Sequence, residues 1–345
     1  MRERASASEP AGGDLRERAS ASEPAGGDLR VLLWHVHGSY TTSLVQGGHT
    51  YLLPVTPDRG PDGLGRARTW DWPPNAVEVT AQQCAETPVD VVVLQRPEEL
   101  HNLAERWLGG RRPGRDVPAV YLEHNAPQGR INDMRHPAAD RPDLTVVHVT
   151  HCNDLLWDCG TTPTTVIEHG IVDPGPRYTG ELARAAVAIN EPVRRARVTG
   201  TDLLPRFARD VDIDLYGMGV RGVEVPRVAT HEDVPQQRMH DELARRRVYV
   251  HPIRWTSLGL SLLEAMHLGM PVVVVGTTEA FEAVPPEGGV VSTDVDRLVR
   301  ATRELIADPA LARAHGDKAR AAALSRYGLP RFLSDWDLLL KEVTR

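Results

Sequence analysis

Apolar runs of three to six residues, separated by segments of helical character, recur along this chain from Arg30 onward. Val31–Val36, Thr50–Val55, Val77–Val79, Val89–Leu94, Ala119–Leu122 and Thr145–Val149 read as strands. Thr41–Val45 reads as a short helix and Pro97–Leu108 as an amphipathic one. Runs this apolar need cover on both faces, which a parallel sheet flanked by helices supplies. After the Pro/Gly-rich stretch Asp173–Gly180 a second series begins. Its strands are expected at Ala185–Ile189, Ile213–Tyr216, Val248–Val250, Val272–Val275 and Val290–Val291, with helices at Asp202–Ala208 and Gln236–Arg246. A long helical tail over Val295–Leu324 and a last amphipathic helix over Phe332–Val343 complete the pattern. The fold class expected is α/β, in two domains.

The 345 residues suffice for two cores. A net charge of −7 gives no general attraction to nucleic acid or anionic lipid. Three cysteines, Cys84, Cys152 and Cys159, do not form a disulfide framework, so a reducing, cytoplasmic setting is the expectation. No apolar run reaches the roughly 18 residues that a membrane span requires. His148, His151, Cys152 and Cys159 cluster in sequence, but their spacing matches no zinc motif, and core thiols and histidines are expected. No G-x-S-x-G nucleophile motif occurs. At the start, Arg2–Leu15 recurs unchanged as Arg16–Leu29. This polar Ala/Ser/Gly-rich segment cannot supply a core, so residues 1–29 are expected to be a disordered leader.

The chemistry concentrates in Trp255–Val275, which reads as a glycine-containing loop, a short buried helix, a glycine stop and a strand. Leu262, Leu263, Ala265, Met266 and Leu268 leave that helix almost no polar face, yet Glu264 sits among them. Ser261-x-x-Glu264 fits a capping box, in which Glu264 would fold back onto the Ser261 amide. The other reading has Glu264 accepting hydroxyl groups of a ligand, whose anionic part meets the Leu260 and Ser261 amides at the helix mouth.

This stretch resembles the donor-site motif E-G-x-G-L-P-x-x-E-A-x-A-x-G-x-P-V-V of the retaining family-4 glycosyltransferases. Gly259, Leu260, Glu264, Ala265, Gly269, Pro271, Val272 and Val273 match in register. Val166–Pro174 resembles the family's interdomain V-I-P-N-G-V-D. Ala188–Arg195, Asp214–Gly219 and Val248–Pro252 fall where it has strands ending in G-R-L, G-x-G and P-S. The resemblance implies the GT-B fold: two Rossmann-like domains facing a cleft, with a C-terminal helix crossing back to the first domain. The boundaries expected are 30–174 for the acceptor domain, 184–328 for the donor domain and 329–345 for the crossing helix.

It further implies transfer of a sugar from a nucleotide-sugar donor to an acceptor hydroxyl with retention of configuration. No cofactor or metal is implied. The partners would be the sugar nucleotide and a small-molecule or glycan acceptor, with peripheral membrane contact allowed and nucleic acid excluded. Arg194 and Arg195 fall just past a strand's carboxyl end, where open α/β sheets bind ligands, and guanidinium forks suit phosphates. A solvated charge run is the plain alternative for them. Gly38 and Ser39, after the first strand, would add backbone amides, although the family's Gly-Gly pair is missing there. His124 resembles the family's strand-end histidine near the transferred sugar, and His124, Glu264 and Arg194 form the catalytic set. Gly217, Met218, Thr256, Ser257, Leu258, Gly259, Leu260 and Ser261 complete the donor site, with Trp70 and Asn125 for the acceptor. Thr256 stands where the family has the first Glu of its E-x7-E pair, so the donor-sugar contact loses its charge. Two alternatives follow: an epimerase or hydrolase of the same fold, and a catalytically weakened nucleotide-sugar-binding protein.

Overall fold

The computed structural model describes residues 28–130 and 132–345. The leader expected at 1–29 lies outside them except for its last two residues, and Leu29 is already tied to the first domain through His49. Residues from Arg30 build a seven-stranded parallel sheet in the order β3-β2-β1-β4-β5-β6-β7. Its strands are β1 Arg30–Leu33, β2 Thr50–Pro54, β3 Ala76–Val79, β4 Val91–Leu94, β5 Ala119–Glu123, β6 Thr145–His148 and β7 Thr164–Val166. A six-stranded parallel sheet follows, ordered β10-β9-β8-β11-β12-β13. It contains β8 Leu182–Ala188, β9 Ile213–Gly217, β10 Val228–Glu232, β11 Arg246–His251, β12 Val272–Val275 and β13 Gly289–Ser292. Central strands such as Val91–Leu94 and Val272–Val275 are buried throughout, as double cover requires.

Each sheet reverses its winding once, between β1 and β4 in the first and between β8 and β11 in the second. Ligand crevices form outside strand carboxyl ends at such reversals. The segments following β1, β5, β8 and β11 supply the residues described below.

Helix Leu329–Val343 crosses back onto the first domain, as expected. Phe332, Trp336 and Leu340 are buried in the same core cluster as Val31, Leu33 and Val120. The Trp336 indole N–H donates to the Tyr40 hydroxyl at 3.0 Å. The expected Val295–Leu324 tail is instead two helices, Val295–Ala307 and Pro309–Arg326. Asp308 accepts from the Ala310 and Leu311 amides and Pro309 occupies the first helical position, so a new helix starts there. Likewise, the helix expected over Pro97–Leu108 opens with a wide π turn at Glu99–Leu103 before becoming regular at Ala104–Trp107. Glu99 is fully buried there and holds the Gln95 amide at 2.6 Å.

Candidate functional site

Helix Leu260–Leu268 carries the site's central carboxylate. It ends at Gly269, whose left-handed φ of 87° suits glycine, with Met270 N donating to Ala265 O. It begins after Gly259, with no side chain capping it. Ser261 is therefore inside the helix, and its hydroxyl accepts from Tyr249 at 2.9 Å. The capping-box alternative fails on this geometry, since the cap position belongs to Gly259. Leu260 and Ser261 keep backbone N–H groups with no hydrogen-bond acceptor among the described residues.

Glu264 is buried and bound to two side chains of the neighbouring helix Gln236–Arg245. Gln236 donates to one carboxylate oxygen at 3.0 Å, and His240 Nε2 lies 3.4 Å from the other. The carboxylate also borders a cavity of about 380 Å³ between the domains. Ser39, Thr42, Trp70 and Asp71 line its first-domain wall, with Gln236 and Glu264 opposite. Trp72 pins the Trp70 loop by donating to Thr42 Oγ1 at 2.8 Å. The Trp70 ring roofs Gly38 so closely that a Cβ there would lie 2.6 Å from it.

His124 follows β5 and is buried. Gln95, past the carboxyl end of β4, donates its amide N–H to the Trp34 carbonyl at 2.7 Å, which turns its oxygen toward His124. His124 Nε2 therefore carries the proton and donates to Gln95 Oε1 at 2.9 Å, leaving Nδ1 as the acceptor. Burial holds its pKa well below the ordinary histidine value, and neighbouring His37 and His169 act in the same direction. A neutral, fixed imidazole results. The chain crosses between domains here: Ser257 Oγ donates to the His124 carbonyl at 2.6 Å and Trp255 Nε1 to the Pro127 carbonyl at 2.9 Å.

The two arginines separate clearly. Arg194 is 71% exposed at its side chain and lies 3.4 Å from Glu191. Arg195 is half-buried, and its guanidinium has no hydrogen-bond or carboxylate partner among the described residues. Burial, and then Arg194, lower its pKa. Both lie in helix Pro192–Thr199, which the Glu191 and Ala196 backbones, at φ 56° and 38°, bend at each end of the arginine pair. Gly217 and Met218 follow the β9 end beside β8, where Met218 N donates to Asn190 at 3.0 Å. Thr256, Leu258 and Gly259 border a smaller hollow with His251. Asn125 is exposed and its carbonyl accepts from Trp157 at 2.9 Å.

Sequence reasoning missed His37, Gln95, Gln236 and His240. The first two sit just past the carboxyl ends of β1 and β4, so strand-end position alone could have flagged them. Among the described residues no group of three or more His, Cys, Asp or Glu is arranged to hold a metal ion. Cys159 Sγ lies 3.6 Å from His148 Nε2 inside the first domain. No described helix is long and apolar enough to cross a membrane.

Residues 197–308 match the family model described as glycosyl transferases group 1. No curated protein matches the chain by sequence. Among solved structures, the sucrose-phosphate synthase of Thermosynechococcus elongatus is similar with a TM-score of 0.67 and 14% identity, covering 91% of this chain and 99% of that one. Anabaena HepE in complex with UDP-glucose gives 0.64 at 14% identity, covering 91% and 100%. AviGT4, a glycosyltransferase involved in avilamycin A biosynthesis, gives 0.60 at 17% identity, covering 92% and 98%. The chain thus has the GT-B architecture, and the match to the group 1 glycosyl transferase model lies within its second domain.

Proposed function

We propose that this chain is a glycosyltransferase that moves a sugar from a nucleotide diphosphate donor to an acceptor hydroxyl, with retention and without a metal ion. One observation carries the reading. A buried carboxylate, Glu264, borders an interdomain cavity one turn along from the uncapped mouth of its own helix, and the unpaired Arg195 guanidinium follows the neighbouring strand β8; this is the set of groups a nucleotide diphosphate requires. In this reading Arg195 and the Leu260 and Ser261 amides neutralise the departing diphosphate, where negative charge grows as the glycosidic bond breaks. Glu264 accepts the ribose hydroxyls. His124, neutral and fixed by Gln95, offers Nδ1 to a sugar hydroxyl. Trp70 and Asp71 form the acceptor wall, and Thr256 gives the donor sugar a hydroxyl contact without charge.

The test is turnover across UDP-, GDP-, ADP- and TDP-sugars with an acceptor panel, reading the product's anomeric configuration by NMR. UDP-sugars come first, because the HepE structure holds UDP-glucose. Retention and undiminished rate in EDTA are expected; an inverted product or metal-dependent turnover contradicts the proposal. Donor turnover without any acceptor would favour the epimerase or hydrolase alternative. Glu264→Ala is expected to raise donor KM at least about tenfold, since a charged hydrogen bond is worth about 1.5–3 kcal/mol. Unchanged steady-state kinetics would remove Glu264 from the site.

A further inference from the structure

His37 lies four residues past the carboxyl end of β1, immediately before helix Gly38–Leu44, and is unused in the reading above. Its ring packs on His124 with centroids 4.1 Å apart. Neither ring nitrogen has a partner among the described residues, and neither is sealed in the interior, unlike both nitrogens of His169. Among the described residues no carboxylate pairs with His37. His35, two residues earlier, turns Nδ1 to the Gly65 carbonyl at 3.0 Å. His124 comes from the β5 end, His169 from the segment after β7, and Tyr40 from helix Gly38–Leu44. Arg331 of the crossing helix acts on His169 while paired with Asp335. From the second domain the Arg195 charge disfavours the protonated form of His37, and Arg194 stands beside Arg195. Burial first, then His35 and Arg195, push the His37 pKa down to about 4.

A part-buried imidazole and a half-buried guanidinium near enough to feel one another, with no carboxylate partner among the described residues, repel whenever both are charged. An anion between them removes that penalty for both. We propose that His37 is a second anion-binding group of the donor site: it takes up a proton as the diphosphate arrives and gives a charge-assisted hydrogen bond to a phosphate oxygen. This inference rests on the donor site proposed above. With its pKa pushed down to about 4, His37 is neutral at pH 7, so binding that charges it must tighten as pH falls, and the gain levels off below about 4. The proton then stands at the leaving phosphate when the glycosidic bond breaks, without passing through a covalent intermediate.

The experiment is calorimetric titration of the full chain with UDP at pH 6.5, in buffers of different ionisation enthalpy. UDP's terminal phosphate itself releases a fraction of a proton on binding a cationic site, equally in wild type and variant, so the difference between them isolates His37. The wild type should take up a measurable fraction of a proton more per UDP bound than His37→Gln, which keeps a neutral donor, and in the variant the tightening from pH 8 to pH 6 should shrink by at least about fivefold, the scale of one charge-assisted bond. Tight UDP binding with equal net proton exchange in wild type and variant overturns the role of His37 and leaves the donor site standing. No binding of UDP, ADP or GDP by the wild type overturns both.

Discussion

Arg195→Ala is expected to lower kcat/KM for the sugar-nucleotide donor by about 100-fold, close to the full worth of a charged hydrogen bond to phosphate. The expectation comes from what Arg195 lacks. Its guanidinium is half-buried, beside a like charge and without a carboxylate, and its cationic form is disfavoured on both counts. Such an arrangement is costly in the empty protein and is relieved by an anion. Arg194→Ala is the matched control: that side chain is exposed and paired with Glu191, so a change within about threefold is expected. Steady-state kinetics with a saturating acceptor decides it. Equal effects of the two substitutions would mean that neither arginine is distinguished by the cleft.

The second large effect concerns the link between the domains. Trp336→Ala should cost about 3–5 kcal/mol of stability, the range for truncating a large core aromatic. Trp336 is 1% exposed, lies in the first domain's core with Phe332 and Leu340, and donates to a Tyr40 hydroxyl buried with it. Removing it leaves a cavity and an unpaired Tyr40 hydroxyl together. Trp336→Phe keeps most of the burial and is expected to cost about 1–2 kcal/mol, less than half the cost of the alanine variant. Urea unfolding followed by fluorescence and circular dichroism reads both, and an alanine variant within about 1 kcal/mol of wild type would mean the crossing helix is dispensable to the first domain.

The parallel sheets were legible because their central strands are unbroken valine- and leucine-rich runs, such as Val91–Leu94 and Val272–Val275. Two of the four edge strands, β7 and β10, were not. β7 is only Thr164–Val166 and β10 mixes Val228 with Thr230, His231 and Glu232, so neither carries a strong apolar signal. Short helices were also missed, although Ala81–Glu86 announces itself with a Thr80/Gln83 capping box. Helix Pro192–Thr199 reads as a charge run because Arg194, Arg195 and Arg197 fill most of it and only Pro192 and Thr199 are buried. In the site, local pattern pointed to Glu264, but its partners Gln236 and His240 come from a helix 28 and 24 residues away. Local spacing could not separate Arg194 from Arg195 either, because their difference is one of burial and pairing.

Hydrogen–deuterium exchange with and without saturating UDP tests most directly where a donor diphosphate binds. Slowed exchange is expected at the amides of residues 257–261 and around His37 in the first domain, with the sheet interiors unchanged. Saturable UDP binding that leaves both segments exchanging as before would contradict that expectation.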